Sequence, residues 1–198
     1  MLTAGTLGRP LFGRSAMVKR WMEANRRSWH LSAETGGMLL TAGIHALDRL
    51  VWLVDAPVKS VAAMTGHLFH NQPVPDADLL LLRFASGALG MLASIGNRDA
   101  TMINDAEIAC EGGTLRLELD AGVSLGQGGR WTPVPGSSES ERLLRGLERE
   151  WQAMRAAVRD DVTPAVGGAE AGALVSCIET AQAAAIARQE MAVPAWPA

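Results

Sequence analysis

The sequence predicts an α+β fold: an open, mostly antiparallel β-sheet with helices packed on one face. Three observations carry this. A helix-length apolar run over 36–55 follows a single strand-like segment. Residues 58–134 then break into short alternating runs separated by Gly, Pro and Asn signals. Two helical patterns close the chain. Its 198 residues suffice for one well-buried domain, and 1–198 reads as that one domain.

Composition narrows the function classes. Hydrophobic residues make up 48% and charged residues 20%, ordinary values for a globular protein. A net charge of -3 gives no electrostatic case for nucleic acid or an anionic membrane as partner. No apolar run reaches the roughly 18 residues needed to span a bilayer. No charged-then-apolar leader is visible at the start of the chain. Cys110 and Cys177 fit no metal-ligand spacing, so the expectation is no bound metal and two reduced, buried thiols in the cytoplasm.

The first strand is expected over Leu11–Lys19. Residues 20–35 form an irregular segment with Trp21, Arg26, Arg27, Trp29 and His30. The helix that follows has Thr35 as its expected cap, and Gly36 and Gly37 leave its first N–H groups open to a ligand. At 100° per residue, Thr41, His45, Asp48 and Trp52 fall within about 60° of one another. Leu40, Ile44, Leu47, Val51 and Val54 keep the spacing of a buried face. The helix is apolar almost all round, which predicts cover on both faces and a Thr41–His45–Asp48 stripe lining a concavity. It should stop at Asp55-Ala56-Pro57.

A strand is expected over Val58–Phe69, with His67 and His70 near its end on opposite faces. Residues 71–76 read as a loop. Ala77–Phe84 and Ala88–Asn97 pair across Ala85-Ser86-Gly87, and the small residues of the second strand suggest close approach of another layer. Arg98-Asp99-Ala100-Thr101 is a loop near the pocket mouth. Asp105–Glu111 and Thr114–Leu119 form a hairpin across Gly112-Gly113, followed by short strands at Gly122–Leu125 and Arg130–Val134. Gly126-Gln127-Gly128-Gly129 has no helix after it, so it reads as a hairpin loop, not a dinucleotide turn. Ser138 and Glu141 have capping-box spacing. The next helix keeps Leu143, Leu147, Trp151, Met154 and Val158 on one face, with Glu141 and Arg145 paired. The last helix, about 169–188, carries a stripe of Leu174, Ile178, Ala181 and Ala185, and 191–198 form a tail.

The pattern Gly36-Gly37-x-x-Leu40-x-x-x-Gly43-x-His45-x-x-Asp48 resembles the signature of the second domain of Gfo/Idh/MocA oxidoreductases. Gly5-Thr6-Leu7-Gly8-Arg9-Pro10 is similar to the opening of that domain. Residues 79–90 and 111–117 are similar to its central hairpins. The resemblance implies that His45 is the catalytic acid/base and that Thr41, Asp48, Trp29, His30 and Gly37 line a substrate pocket. The family places an Asp four residues before this His; Thr41 stands there in this chain. The resemblance further implies a small-molecule substrate of the sugar, inositol or related polyol class. It implies NAD or NADP in the full-length enzyme, with no cofactor held by this chain, and a homodimer or tetramer joined through the open sheet face. It covers the second domain alone, so the chain is expected to be a piece of a longer enzyme or one that lost its dinucleotide-binding domain. The alternative expectation is a non-enzymatic binding or assembly protein derived from that fold.

Overall fold

A computed structural model describes residues 5–21, 26–99, 101–119, 121–135, 139–162, 164 and 166–195. The strands are β1 (Pro10–Arg20), β2 (Val58–Gly66), β3 (Ala77–Phe84), β4 (Leu89–Asn97), β5 (Ile103–Cys110), β6 (Gly113–Glu118), β7 (Gly122–Gln127), β8 (Arg130–Pro133) and β9 (Met191–Ala192). They form one sheet in the order β8-β7-β6-β5-β1-β4-β3-β2-β9. Among the described residues, only the β1–β4 pair is parallel; every other pair is antiparallel. The helices are α1 (Ile44–Val54), α2 (Glu139–Asp160) and α3 (Gly168–Ala187). The expected α+β architecture is therefore the one found.

Alternation decides which face of the sheet is covered. Gly13, Ser15 and Met17 of β1, Leu80, Leu82 and Phe84 of β3, and Gly90, Leu92 and Ser94 of β4 are buried under α1 and α3. Leu47, Leu50 and Leu53 of α1 and Cys177, Ile178 and Ala181 of α3 complete this core. Close approach is built from missing side chains: a Cβ on Gly13 would collide with Leu50 and Ile108, and one on Gly90 with Phe84. The opposite face exposes Met64, Leu79, Leu81, Leu89 and Met91. Beside that apolar belt lies an ionic row. Arg14 binds Asp105 and Glu107, Arg116 binds Glu107, and the Arg116 guanidinium lies 4.1 Å from the Trp131 ring centre.

Several boundaries differ from expectation for identifiable reasons. β2 stops at Gly66 instead of running to Phe69, because the buried Asp76 carboxylate accepts the N–H groups of Leu68, Phe69 and His70 and bends the chain. The β5–β6 turn centres on Glu111-Gly112 instead of Gly112-Gly113, and Cys110 pairs with Gly113. Arg9 holds Glu111 there at 2.8 Å, and Gly112 donates to the Leu7 carbonyl. The Gly128-Gly129 hairpin is as expected, with φ of 57° and 76° at its two central residues. Within the tail, Met191–Ala192 form β9, which extends the sheet beyond β2. The apolar stripe of α2 is exposed, Val158 at 77% and Trp151 at 70%. Ser138 and the Glu141 side chain lie outside the described residues, so the expected cap and ion pair on α2 do too.

Candidate functional site

The central helix begins differently from its sequence reading. Thr35 does not cap it; its hydroxyl donates to the Trp29 carbonyl at 3.0 Å. The Gly36 and Gly37 N–H groups are not open to a ligand. They donate to the Ser32 and His30 carbonyls, both at 2.8 Å. Gly36 is required because a Cβ there would run into those carbonyls, and Gly37 because its φ is 87°. The two glycines therefore sew the Trp29–His30 segment onto the helix entrance. Met38 starts a π-turn over Leu39–Gly43, in which the Ile44 N–H reaches back five residues to Leu39. α1 continues from Ile44 and ends on Asp55, whose φ of 55° caps it before Pro57 as expected.

Five of the six candidate residues lie along one continuous path. Trp29 and His30 stack with ring centres 3.6 Å apart. The His30 Nδ1 accepts the Arg27 N–H at 2.9 Å, which fixes the ring. Gly37 joins His30 through its N–H, and its own carbonyl accepts both the Thr41 N–H and the Thr41 hydroxyl, the latter at 2.7 Å. His45 follows one turn later. Its ring is exposed and makes no hydrogen bond or ion pair among the described residues. The expectation that both helix faces are covered is corrected here. α1 packs on β1, β5 and α3, and the edge carrying His45 and Trp52 stays open.

Asp48 stands apart from this path. It makes no hydrogen bond to His45 and lines a different concavity, a groove of about 810 Å³ between α1 and α3 shared with Trp52, Pro57, Leu174 and Val193. Of the expected stripe, Asp48 and Trp52 line this groove, and Thr41 and His45 are not among its lining residues. A second hollow of about 540 Å³ is formed by residues 67–72 and Arg98. There His67 binds the Gln72 carbonyl, while the buried His70 bridges the Gly96 carbonyl and the Arg26 guanidinium. The two histidines therefore serve different partners.

Sequence reasoning missed the polar groups beneath the helix. Asp78 is 2% exposed and Ser94 fully buried. They face each other across β3 and β4. Burial, with help from the neighbouring Asp76 charge, pushes the Asp78 carboxyl up to about 7, against a backbone hydrogen bond from Leu39 that favours ionisation. The signal was readable: Asp78 is in phase with the core residues Leu80, Leu82 and Phe84. Arg49 was missed as well. It crosses from α1 over the sheet to bind the Ser15 hydroxyl, the Asn104 side chain and the Ala16 and Asp105 carbonyls. Burial lowers its pKa, with Asp105 opposing.

A nicotinamide dinucleotide needs a Gly-rich turn between a strand and a helix. The described residues do not fit it: Gly126–Gly129 joins two antiparallel strands, and the Gly36–Gly37 N–H groups are already used.

The C-terminal-domain model of the GFO/IDH/MocA family matches residues 1–116. Inositol 2-dehydrogenase 2 of Paenarthrobacter aurescens (strain TC1) is 26% identical over 145 residues, which cover 72% of this chain and 44% of that protein. The WlbA dehydrogenase of Bordetella pertussis, solved with NADH and UDP-GlcNAcA, superposes with a TM-score of 0.78 at 20% identity, over 98% of this chain and 58% of that one. Levoglucosan dehydrogenase in complex with NADH superposes with a TM-score of 0.79 at 18% identity, over 98% and 61%. The chain spans less than half the length of the curated relatives it matches. With the family signature and the sheet on which it is mounted both in place, the chain belongs to the Gfo/Idh/MocA oxidoreductase family, as its C-terminal domain.

Proposed function

We propose that this chain is the substrate-binding and oligomerisation domain of an NAD(P)-dependent oxidoreductase acting on a hydroxyl of a sugar, inositol or related polyol, with His45 as acid/base. The observation that carries this reading is the exposed, unpaired His45 ring on an otherwise anchored helix, one turn beyond the Trp29–His30–Gly37–Thr41 path. A neutral imidazole accepts a hydroxyl proton near neutral pH, and its exposed edge leaves room for a substrate. Trp29 offers an apolar ring face for a sugar, and His30 beside it a ring nitrogen. The redox step belongs to a nicotinamide held by a separate dinucleotide-binding domain. Relatives that act on inositol and structural neighbours holding NADH support the same class.

One observation favours the alternative of a binding or assembly protein without chemistry. Thr41 spends its hydroxyl on the Gly37 carbonyl, and Asp48 does not reach His45, so no carboxylate supports the imidazole. Adding myo-inositol to the chain while following ring resonances separates these readings from a site elsewhere. The reading predicts shifts at His45, Trp29 and His30. Shifts confined to Trp52 would move the site to the α1–α3 groove and contradict it.

A further inference from the structure

We propose that Asp78 and Ser94 are positioning residues: seated under the π-turn, they set the angle at which His45 follows the Trp29–Gly37 segment. The inference rests on the proposed role of His45 only for its consequence; the seat itself is read from the packing. A π-turn inserts one residue into the helical ladder, so everything before it is turned by about 100° relative to α1. Such a turn is costly and persists where its surroundings hold it.

The surroundings here are specific. Leu39, first residue of the turn, hydrogen-bonds the Asp78 carboxyl through its backbone. Gly43, the last, sits directly on Ser94, where a Cβ would come within 2.5 Å of the Ser94 hydroxyl and 2.7 Å of its Cβ. Asp78 and Ser94 are register partners on adjacent strands, so both ends of the turn rest on one polar pair. The chain just before the turn is tied to the same place, because Met38 donates to the Pro75 carbonyl. Asp78 Oδ2 and the Ser94 hydroxyl are buried without a hydrogen-bond partner among the described residues. Two orphaned oxygens under a strained turn are a costly arrangement in an apolar core. A strand face that only had to pack would carry Leu or Val at these positions.

The seat changes with the charge on Asp78. Ionised, its carboxylate grips the Leu39 N–H, and the facing Ser94 hydroxyl, unpartnered in the structure, becomes a donor available to it. Protonated, it releases part of that grip. Thr65 faces Asp78 from β2 and Ser94 faces it from β4, and no residue of Leu39–Gly43 is titratable. The charged group acting on Asp78 is Asp76.

The test is the pH dependence of the backbone amide resonances of the 198-residue chain. Leu39, Thr41 and Gly43 are expected to shift together with a midpoint near 7. That transition is expected to persist in His45→Ala and to vanish in Asp78→Asn. Flat amides, a transition that survives Asp78→Asn, or one lost in His45→Ala would each overturn the proposal. Should Asp78→Asn fail to fold, Ser94→Ala serves instead: removing the hydroxyl donor raises the midpoint, and an unchanged midpoint overturns the seat. A catalytic role for His45 that failed would leave this titration untouched, so the two readings fail separately.

Discussion

At the scale of single residues, Asp78 makes a thermodynamic prediction. Its carboxyl titrates near 7 in the folded protein, well above the ordinary carboxylate value, because burial disfavours the charge. Between those two values the folded chain binds its proton more tightly than the unfolded chain. Stability therefore falls as pH rises from about 4 to about 7 and levels off above. Urea midpoints across that range are expected to follow this slope in the wild type and to flatten in Asp78→Asn. An equal slope in both would show that Asp78 is not the group responsible. Gly43 makes a steric prediction. Gly43→Ala drives a methyl into Ser94, lifts the helix from the sheet and costs about 1–3 kcal/mol, measured by denaturant unfolding.

At the scale of elements, the bend after β2 depends on a single carboxylate. Asp76 is fully buried and accepts three backbone N–H groups at 2.7–3.1 Å. Asp76→Asn removes the charge and one acceptor oxygen, leaving at least one of those N–H groups unpaired. The expected cost is about 1–3 kcal/mol, with faster amide exchange at Leu68, Phe69 and His70. Exchange unchanged at those three residues would contradict this account of the bend. The same residue shows why strand ends were less legible than strands. Alternation marks β2 as far as Met64, but the residue that ends it lies ten positions beyond Gly66. The π-turn was hidden for a similar reason. Helical periodicity reads Leu39–Gly43 as ordinary α-helix, and the residues proposed to seat the extra position, Asp78 and Ser94, sit on strands 35 or more residues away. By contrast, the stop at Asp55-Ala56-Pro57 and the Gly128-Gly129 hairpin need only local backbone preferences, and both were readable.

At the scale of the whole molecule, one sheet face is covered by α1 and α3 and the other carries Met64, Leu79, Leu81, Leu89 and Met91 exposed beside the Arg14–Asp105–Glu107–Arg116 row. A contiguous apolar belt on one sheet face is a surface for association. A homodimer or tetramer joined there is the expected outcome. Leu81 is 64% exposed, so Leu81→Glu is expected to leave the fold intact while shifting the light-scattering mass toward the monomer. A wild-type monomer at micromolar concentration would contradict the belt's role. The overall architecture was legible because alternation reports a half-covered sheet. The open edge of α1 was not, because an apolar helix reads as buried on every side whether or not a covering element is present. Trp52, at 70% exposed, is the clearest case.

The proposed exchange of the substrate hydroxyl proton by His45 is tested most directly by the turnover of His45→Ala. The measurement is made in a protein that pairs this chain with a dinucleotide-binding domain, as the proposed function requires, alongside the melting temperature of the same samples. Because the ring is exposed and bonded to nothing among the described residues, stability is expected to stay nearly unchanged. Loss of a general acid/base is expected to lower kcat by about two to four decades. Turnover per folded molecule equal to wild type would contradict the claim.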